Sequence, residues 1–174
     1  SSGKMGYAIA RAARMAGADV TLVSGPTALP SPAGVRMLPV TTAQQMHDAV
    51  MANVNGQQVF IAVAAVADWR VANASDRKMK KDAAGTPPAL SFAENPDILK
   101  TVARSTDRRP RLVIGFAAET DDVLAHAQAK RARKGCDWIV ANDVSPGTGI
   151  MGGAENAVTI ISAAGVEEWP RLPK

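Results

Sequence analysis

The chain has 174 residues and a mass of 18.1 kDa, about one domain and enough to bury a core without disulfides or metal. Apolar residues make up 47% and charged residues 21%, with 14 glycines and 11 prolines, which excludes collagen, disordered acidic tails and low-complexity linkers. A net charge of +4 and a pI near 9.5 leave nucleic acid, a membrane surface or a polyanionic small molecule open as partners.

Further features narrow that choice. The longest apolar run, Val59 to Ala67, stops at Asp68, far short of the roughly 20 residues that cross a bilayer. No membrane association is expected. Aromatics are 4%, with Trp69, Trp138 and Trp169 scattered, so no ladder of rings offers bases a stacking surface, and nucleic acid is not expected either. The lone Cys136 cannot close an internal disulfide, and Ser1 to Gly6 has neither the basic nor the apolar part of a leader. A reducing cytoplasm is the expected location.

In chain order, Lys4 to Ala16 predicts a helix, with Met5, Ile9, Ala12 and Ala13 at helical spacing, Ser2 as its cap and Gly17 after its end. Ala18 to Ser24 predicts a strand, Gly25 to Gly34 a loop, and Val35 to Val40 a short strand. A second helix is expected from a Thr41 or Thr42 cap to Gly56. Val59 to Ala67 lacks polar alternation, as a strand covered on both faces does, and is expected at the sheet's centre. Asn95 as cap, Pro96 at the first helical position and Asp97 in the first turn predict a helix through Ile98, Leu99 and Val102. A buried strand at Leu112 to Gly115 follows. Thr120 to Asp122 start a helix that ends in the basic run before Gly135. Trp138 to Ala141 predicts another strand, and 157–162 with 166–170 a terminal hairpin. The alternation predicts an α/β fold, a doubly wound, mostly parallel sheet of Rossmann-like kind. The chain opens on a helix with no strand before it, so the expectation is a fragment of something longer.

In such sheets ligands bind beyond the carboxyl ends of the strands. Ser1-Ser2-Gly3-Lys4 opens the first helix there and suits an anion, or is a serine cap beside a solvent lysine. It is no P-loop, because Met5 follows Gly3-Lys4. Asp68 ends the long apolar run, where an acid binds metal or ribose, or simply forms a turn. Arg70 to Glu94 is a long segment of weak periodicity carrying Arg77-Lys78-Met79-Lys80-Lys81, either a polyphosphate flap or a solvated loop. Gly115 to Thr120 offers small residues after a strand, for a flat ligand or for helix packing. Lys130 and Lys134 share a helix face and suit one anionic ligand, or cap the helix dipole. Asn142-Asp143 lines the same edge or forms a turn. His126 has no second histidine at ligand spacing and reads as surface, without a zinc site.

Six segments together carry a resemblance: Ser1-Ser2-Gly3-Lys4-Met5-Gly6, Ala64-Ala65-Val66-Ala67-Asp68-Trp69-Arg70, Lys78-Met79-Lys80-Lys81, Asn95-Pro96-Asp97-Ile98, Gly115-Phe116-Ala117-Ala118-Glu119-Thr120 and Ala141-Asn142-Asp143-Val144. In this order they closely resemble the bacterial, CTP-dependent phosphopantothenoylcysteine synthetases, over essentially the whole chain. The resemblance implies a homodimeric ligase of coenzyme A biosynthesis. It would use CTP and Mg2+ to activate 4′-phosphopantothenate as an acyl-cytidylate, then join it to L-cysteine. It also implies a covalently linked decarboxylase half, which alone would use FMN. Carried over by motif, nucleotide binding falls to Ala62, Val63, Ala64, Asp68, Lys78, Pro96, Asp97, Ile98, Leu99, Phe116, Lys130 and Lys134. Lys78 would be catalytic; Ser1, Ser2, Gly3 and Ala65 would hold the phosphate and substrate; the metal ligands are not identified. Residues 1–174 would form one synthetase domain without the family's first strand, its phosphate loop and an Asn that stabilises the acyl-cytidylate.

Two other classes share some of these features. A nicotinamide dehydrogenase shares the fold class, but Tyr7 is followed four residues on by Arg11, not Lys, so no Tyr-x-x-x-Lys pair exists. A nucleic-acid module predicts affinity that falls steeply with salt and no nucleotide cleavage.

Overall fold

Glycines bracket the first helix, α1 (Lys4–Met15): Gly3 caps it at φ 73° and Gly17 follows its end at φ 91°. Both lie in the left-handed region that side chains avoid. The expected Ser2 cap is displaced by one residue; its Oγ only accepts from the Lys4 N–H at 3.5 Å. The computed structural model describes residues 2–73, 89–145 and 153–173. After α1 come β1 (Thr21–Ser24) and β2 (Arg36–Pro39), which pair in parallel as a separate two-stranded sheet. The predicted first strand is thus shortened to its last four residues. α2 (Ala43–Asn53) starts at Thr42 with a full capping box: Thr42 Oγ1 accepts from the Gln45 amide, and Gln45 Oε1 accepts from the Thr42 amide.

β3 (Val59–Ala62) is much shorter than the predicted strand and is not central. It stands at one edge of a five-stranded sheet in the order β3, β6 (Leu112–Glu119), β7 (Trp138–Asp143), β8 (Glu155–Ser162), β9 (Gly165–Pro173). Val59 is 49% exposed, and β6 is its only strand partner among the described residues. An unbroken apolar run does not distinguish a strand from the turn of small residues that follows it. Here the ladder to β6 ends at Ala62, opposite Gly115, and Ala64 and Ala65 lie exposed beyond it. The central place falls to β7, between β6 and β8, while β6 pairs with β3 on one side and β7 on the other. β6 also runs four residues past its predicted end, to Glu119.

The β3–β6–β7 pairs are parallel and the β7–β8–β9 pairs antiparallel, so the sheet is mixed and the class is α/β, with the expected terminal hairpin turning at Ala163-Ala164. The ends of the weakly periodic Arg70 to Glu94 segment, read as a flap or a loop, form a ribbon together with Trp69. β4 (Trp69–Val71) pairs antiparallel with β5 (Phe92–Glu94). α3 (Ile98–Ala103) and α4 (Val123–Lys134) then pack with α2 on β6 and β7, and Val50, Val54, Leu99, Val102, Val113, Ala127 and Ile139 make one core. Gly115 is required by that packing. A Cβ there would stand 2.5 Å from Leu99 Cδ2 and 2.9 Å from Ile139 Cδ1, both in the core.

Candidate functional site

The carboxyl ends of β3 and β6, the start of α3 and the last turns of α4 carry most of the candidate residues. Asn95 ties the segments together: its side-chain amide donates to the Ala67 carbonyl at 2.9 Å and its backbone N–H to the Asp68 carbonyl at 2.8 Å. With that amide engaged, Asn95 does not cap α3; Asp97 does, its Oδ1 accepting from the Lys100 N–H at 3.1 Å. The cap therefore sits two residues later than predicted, past Pro96, whose ring disfavours helical backbone in the residue before it.

Asp97 has a second partner. Its Oδ2 accepts from Lys134 Nζ at 2.5 Å, joining the start of α3 to the end of α4. Partial burial works to raise the Asp97 pKa, but the Lys134 hydrogen bond and the Lys100 amide outweigh it and hold the carboxyl below its ordinary value. Lys134 is thus engaged within the protein, whereas Lys130, one turn earlier, has no ion pair among the described residues. Lys130 instead lines a cleft of about 380 Å³ with Glu119, His126, Ala129 and Arg133. Burial pushes its pKa down from the ordinary lysine value. Glu119 partly offsets this, Lys134 and Arg133 add to the depression, and Asp68 opposes it. A half-buried ammonium that leans on two carboxylates without bonding to either is suited to an anion of higher charge.

The remaining candidates divide by what they expose. Ala62 ends β3, Val63 lies against α1 with its Cβ 3.8 Å from a Cβ built at Gly6, and Ala64, Ala65 and Asp68 are exposed. Ile98 and Leu99 are core side chains, so only their backbone is available to a ligand. Phe116 is half-buried within β6, opposite Val140, not in a turn after the strand. Ser2 and Gly3 lead into α1, with the Thr27 methyl 2.8 Å from where a Gly3 Cβ would stand. Ser1 and Lys78, with Lys80 and Lys81, lie outside the described residues.

In the sequence Glu119 stands only inside a motif and Arg133 only inside a basic run, and His126 reads as surface. His126 is indeed half-exposed, its Nδ1 3.9 Å from Glu119 and 4.0 Å from Asp121. The local signal for this cleft was the stripe His126, Ala129, Lys130, Arg133 at helical spacing beside a strand ending in Glu119. Among the described residues, no group of three or more His, Cys, Asp or Glu could hold a metal ion, and no helix is long and apolar enough to cross a membrane.

Over residues 1–174 the chain matches the family described as "DNA/pantothenate metabolism flavoprotein C-terminal domain". It is 45% identical over its full length to the coenzyme A biosynthesis bifunctional protein CoaBC of Vibrio cholerae, of which it spans 43%. The crystal structure of a CoaBC C-terminal domain superposes with a TM-score of 0.77 at 40% identity, covering 98% of this chain and 74% of that one. A mutant of Cab2 in complex with phosphopantothenate-cysteine shares the fold at 18% identity, with a TM-score of 0.61, covering 81% of this chain and 47% of that one. The chain therefore belongs to the DNA/pantothenate metabolism flavoprotein C-terminal domain family.

Proposed function

We propose that this chain is the ligase part of a longer bifunctional protein and joins 4′-phosphopantothenate to L-cysteine at the expense of CTP. The carrying observation is the half-buried Lys130 ammonium, without an ion-pair partner among the described residues, facing a cleft beside Asp68 and the Asp97–Lys134 pair. In the first step a carboxylate oxygen attacks the α-phosphorus of CTP and pyrophosphate leaves with the electron pair of the broken P–O bond. In the second, the neutral amine of cysteine attacks the acyl carbon, CMP leaves, and the nitrogen gives up a proton to solvent. Negative charge grows on the triphosphate during the first step, so a preplaced cation lowers its barrier. Lys130 would supply that cation from α4, and Lys78, carried over from the family resemblance, a second.

Asp97 would orient ribose hydroxyls, held in place by Lys134. Phe116 and the backbone of Ala62 to Ala64 would form a slot for the base, and Ser2, Gly3 and Ala65 would take the phosphorylated acid. Mg2+ would enter as counter-ion of the triphosphate, a cation usually held by one or two carboxylates plus substrate phosphates. The buried Cys136 thiol, its pKa raised by burial, fits a reducing cytoplasm.

The test is pyrophosphate release by the full-length protein that carries this chain. Release is expected to require 4′-phosphopantothenate and to saturate at much lower CTP than ATP, since a purine adds a ring to the base slot. Equal saturation by both nucleotides would overturn the CTP assignment; release without the acid would overturn the ligase.

We also propose a homodimer. Support comes from β9, the free edge of the sheet among the described residues, where Val166, Trp169 and Leu172 are each about half exposed, and from the exposed Trp69 and Phe92 of the ribbon. Sedimentation of the full-length protein at micromolar concentration is expected to give no monomer-mass species. A single species of monomer mass would sink the proposal.

A further inference from the structure

Lys130 faces the first cleft, and the Asp68 carboxylate acts on its ammonium. Ala65, which would take the phosphorylated acid, lines a second cleft with Val66, Ala67 and Asn95. Ala67 and Asp68 are consecutive, so the chain at that peptide divides the nucleotide side from the acid side. The bond between phosphorus and carboxylate has to form beside it.

Asn95 fixes this stretch of chain, its Nδ2 donating to the Ala67 carbonyl at 2.9 Å and its backbone N–H to the Asp68 carbonyl at 2.8 Å. The other end of the amide is engaged as well. Its Oδ1 accepts from Nη1 of Arg70 at 3.4 Å, and the same Nη1 donates to the Glu94 carbonyl. Arg70 stands in β4 opposite Ala93 of β5, so the ribbon sets its backbone and Nη1 sets the plane of its guanidinium. Both N–H groups of Nη1 are thereby used. Nε and Nη2 donate to no acceptor among the described residues, and no carboxylate there pairs with this exposed side chain.

That division of labour within one side chain is specific. One terminal nitrogen is tied to the turn between the clefts, and the adjoining Nε–Nη2 edge is left open. Such an edge can hold two oxygens of one phosphoryl group through parallel hydrogen bonds, and the group stays charged at any working pH. Fixing its plane beforehand reduces the entropy lost when an anion arrives. Glu94 offers Arg70 its carbonyl and not its carboxylate, so the positive charge is not cancelled at its anchor.

We propose that Arg70 is a catalytic residue whose Nε–Nη2 edge binds the α-phosphoryl oxygens of CTP while the carboxylate of the acid attacks that phosphorus. The new O–P bond forms as the P–O bond to the β-phosphate breaks, and its electron pair leaves with pyrophosphate. No proton moves in this step. Charge shifts among the oxygens around the α-phosphorus as the attack proceeds, so a cation held there favours the transition state over bound CTP. Lys130 would approach the triphosphate from α4 and Arg70 from the ribbon. The inference rests on the ligase reading above and adds a residue to its first step.

The experiment uses the full-length protein and steady-state pyrophosphate release with CTP, 4′-phosphopantothenate and cysteine. Arg70→Ala is expected to cut kcat about a hundredfold or more and to leave KM for CTP and for the acid within about threefold. Millimolar guanidinium chloride, which supplies the missing group from solution, is expected to restore about tenfold of that loss. Arg70→Lys keeps a charge without the fork and is expected to lose about tenfold in kcat, and it answers if the alanine variant fails to fold. A kcat within about threefold of wild type in either variant would overturn the inference. So would a rise in KM for both substrates at unchanged kcat, or a loss that guanidinium leaves in place, since each marks Arg70 as a brace for the Asn95 turn. A wild-type protein without acid-dependent release would overturn the ligase reading and the inference with it; unaffected variants of an active wild type overturn the inference alone.

Discussion

Replacing Lys130 by methionine is expected to cut CTP-dependent turnover by about a hundredfold or more, on the order of 3 kcal/mol, while leaving the fold intact. The ammonium is half-buried in the cleft with Glu119 and Arg133, and it has no ion pair whose loss would strand another charge among the described residues. Its pKa is lowered, chiefly by burial. A lysine whose folded pKa lies below its unfolded value carries a cost of burial wherever it is charged, and that cost fades as pH rises through the folded value. That cost is present while the ammonium is charged, so Lys130→Met is expected to hold or raise the melting temperature even as activity falls. The wild-type activity is expected to decline in alkali earlier than an ordinary lysine would dictate, as the cation facing the phosphates is lost. Turnover and melting temperature at pH 7, with a pH profile of the wild type, check all three. Turnover within about threefold of wild type, or a clearly lowered melting temperature, would contradict the role assigned to Lys130.

Asp137→Ala is expected to be strongly destabilising, at about 2 to 4 kcal/mol. Asp137 precedes β7 at the amino ends of the central strands. Its Oδ2 accepts from the Val113 N–H at 2.7 Å and its Oδ1 from Arg109 Nη2 at 2.9 Å, while its backbone carbonyl accepts from Arg131 Nε at 2.8 Å. Val113 is wholly buried, so its amide has no substitute partner once the carboxylate is gone. The Arg109 contact adds less, because both of its side chains are about one-third exposed, at 30% and 35%, and the guanidinium keeps the Ala103 and Pro110 carbonyls. In a domain of this size the loss corresponds to a fall of roughly 5 to 12 °C in melting temperature. Asp137→Asn, which keeps an acceptor for Val113, is expected to lose less than half as much. Because Asp137 lies at the opposite end of β6 from Glu119, kcat of the folded fraction is expected to stay near wild type. Thermal unfolding of the two variants, read beside pyrophosphate release, tests the assignment. An Asp137→Ala protein that melts with the wild type would refute it.

What the sequence by itself determined is what neighbours along the chain decide. Thr42 and Gln45 complete a capping box within one helical turn, Gly17 and Gly135 stop their helices through positive φ, and the hairpin turns at Ala163-Ala164 before Gly165. The six segments in order identified the family for the same reason, being short runs of adjacent residues. The tertiary structure decided what depends on partners far apart in sequence. It ended β3 at Ala62, because the ladder to β6 stops there, and the alanines beyond it look the same in sequence whether paired or not. It paired Trp69–Val71 with Phe92–Glu94, moved the α3 cap to Asp97 by engaging Asn95 with Ala67, and separated two lysines that share a helix face. Lys134 is held by Asp97 from 37 residues away, whereas Lys130 is left facing the cleft. Helical periodicity puts both lysines on one stripe; only the packing of α3 beside α4 brings a carboxylate to one of them and leaves the other charge available to a ligand.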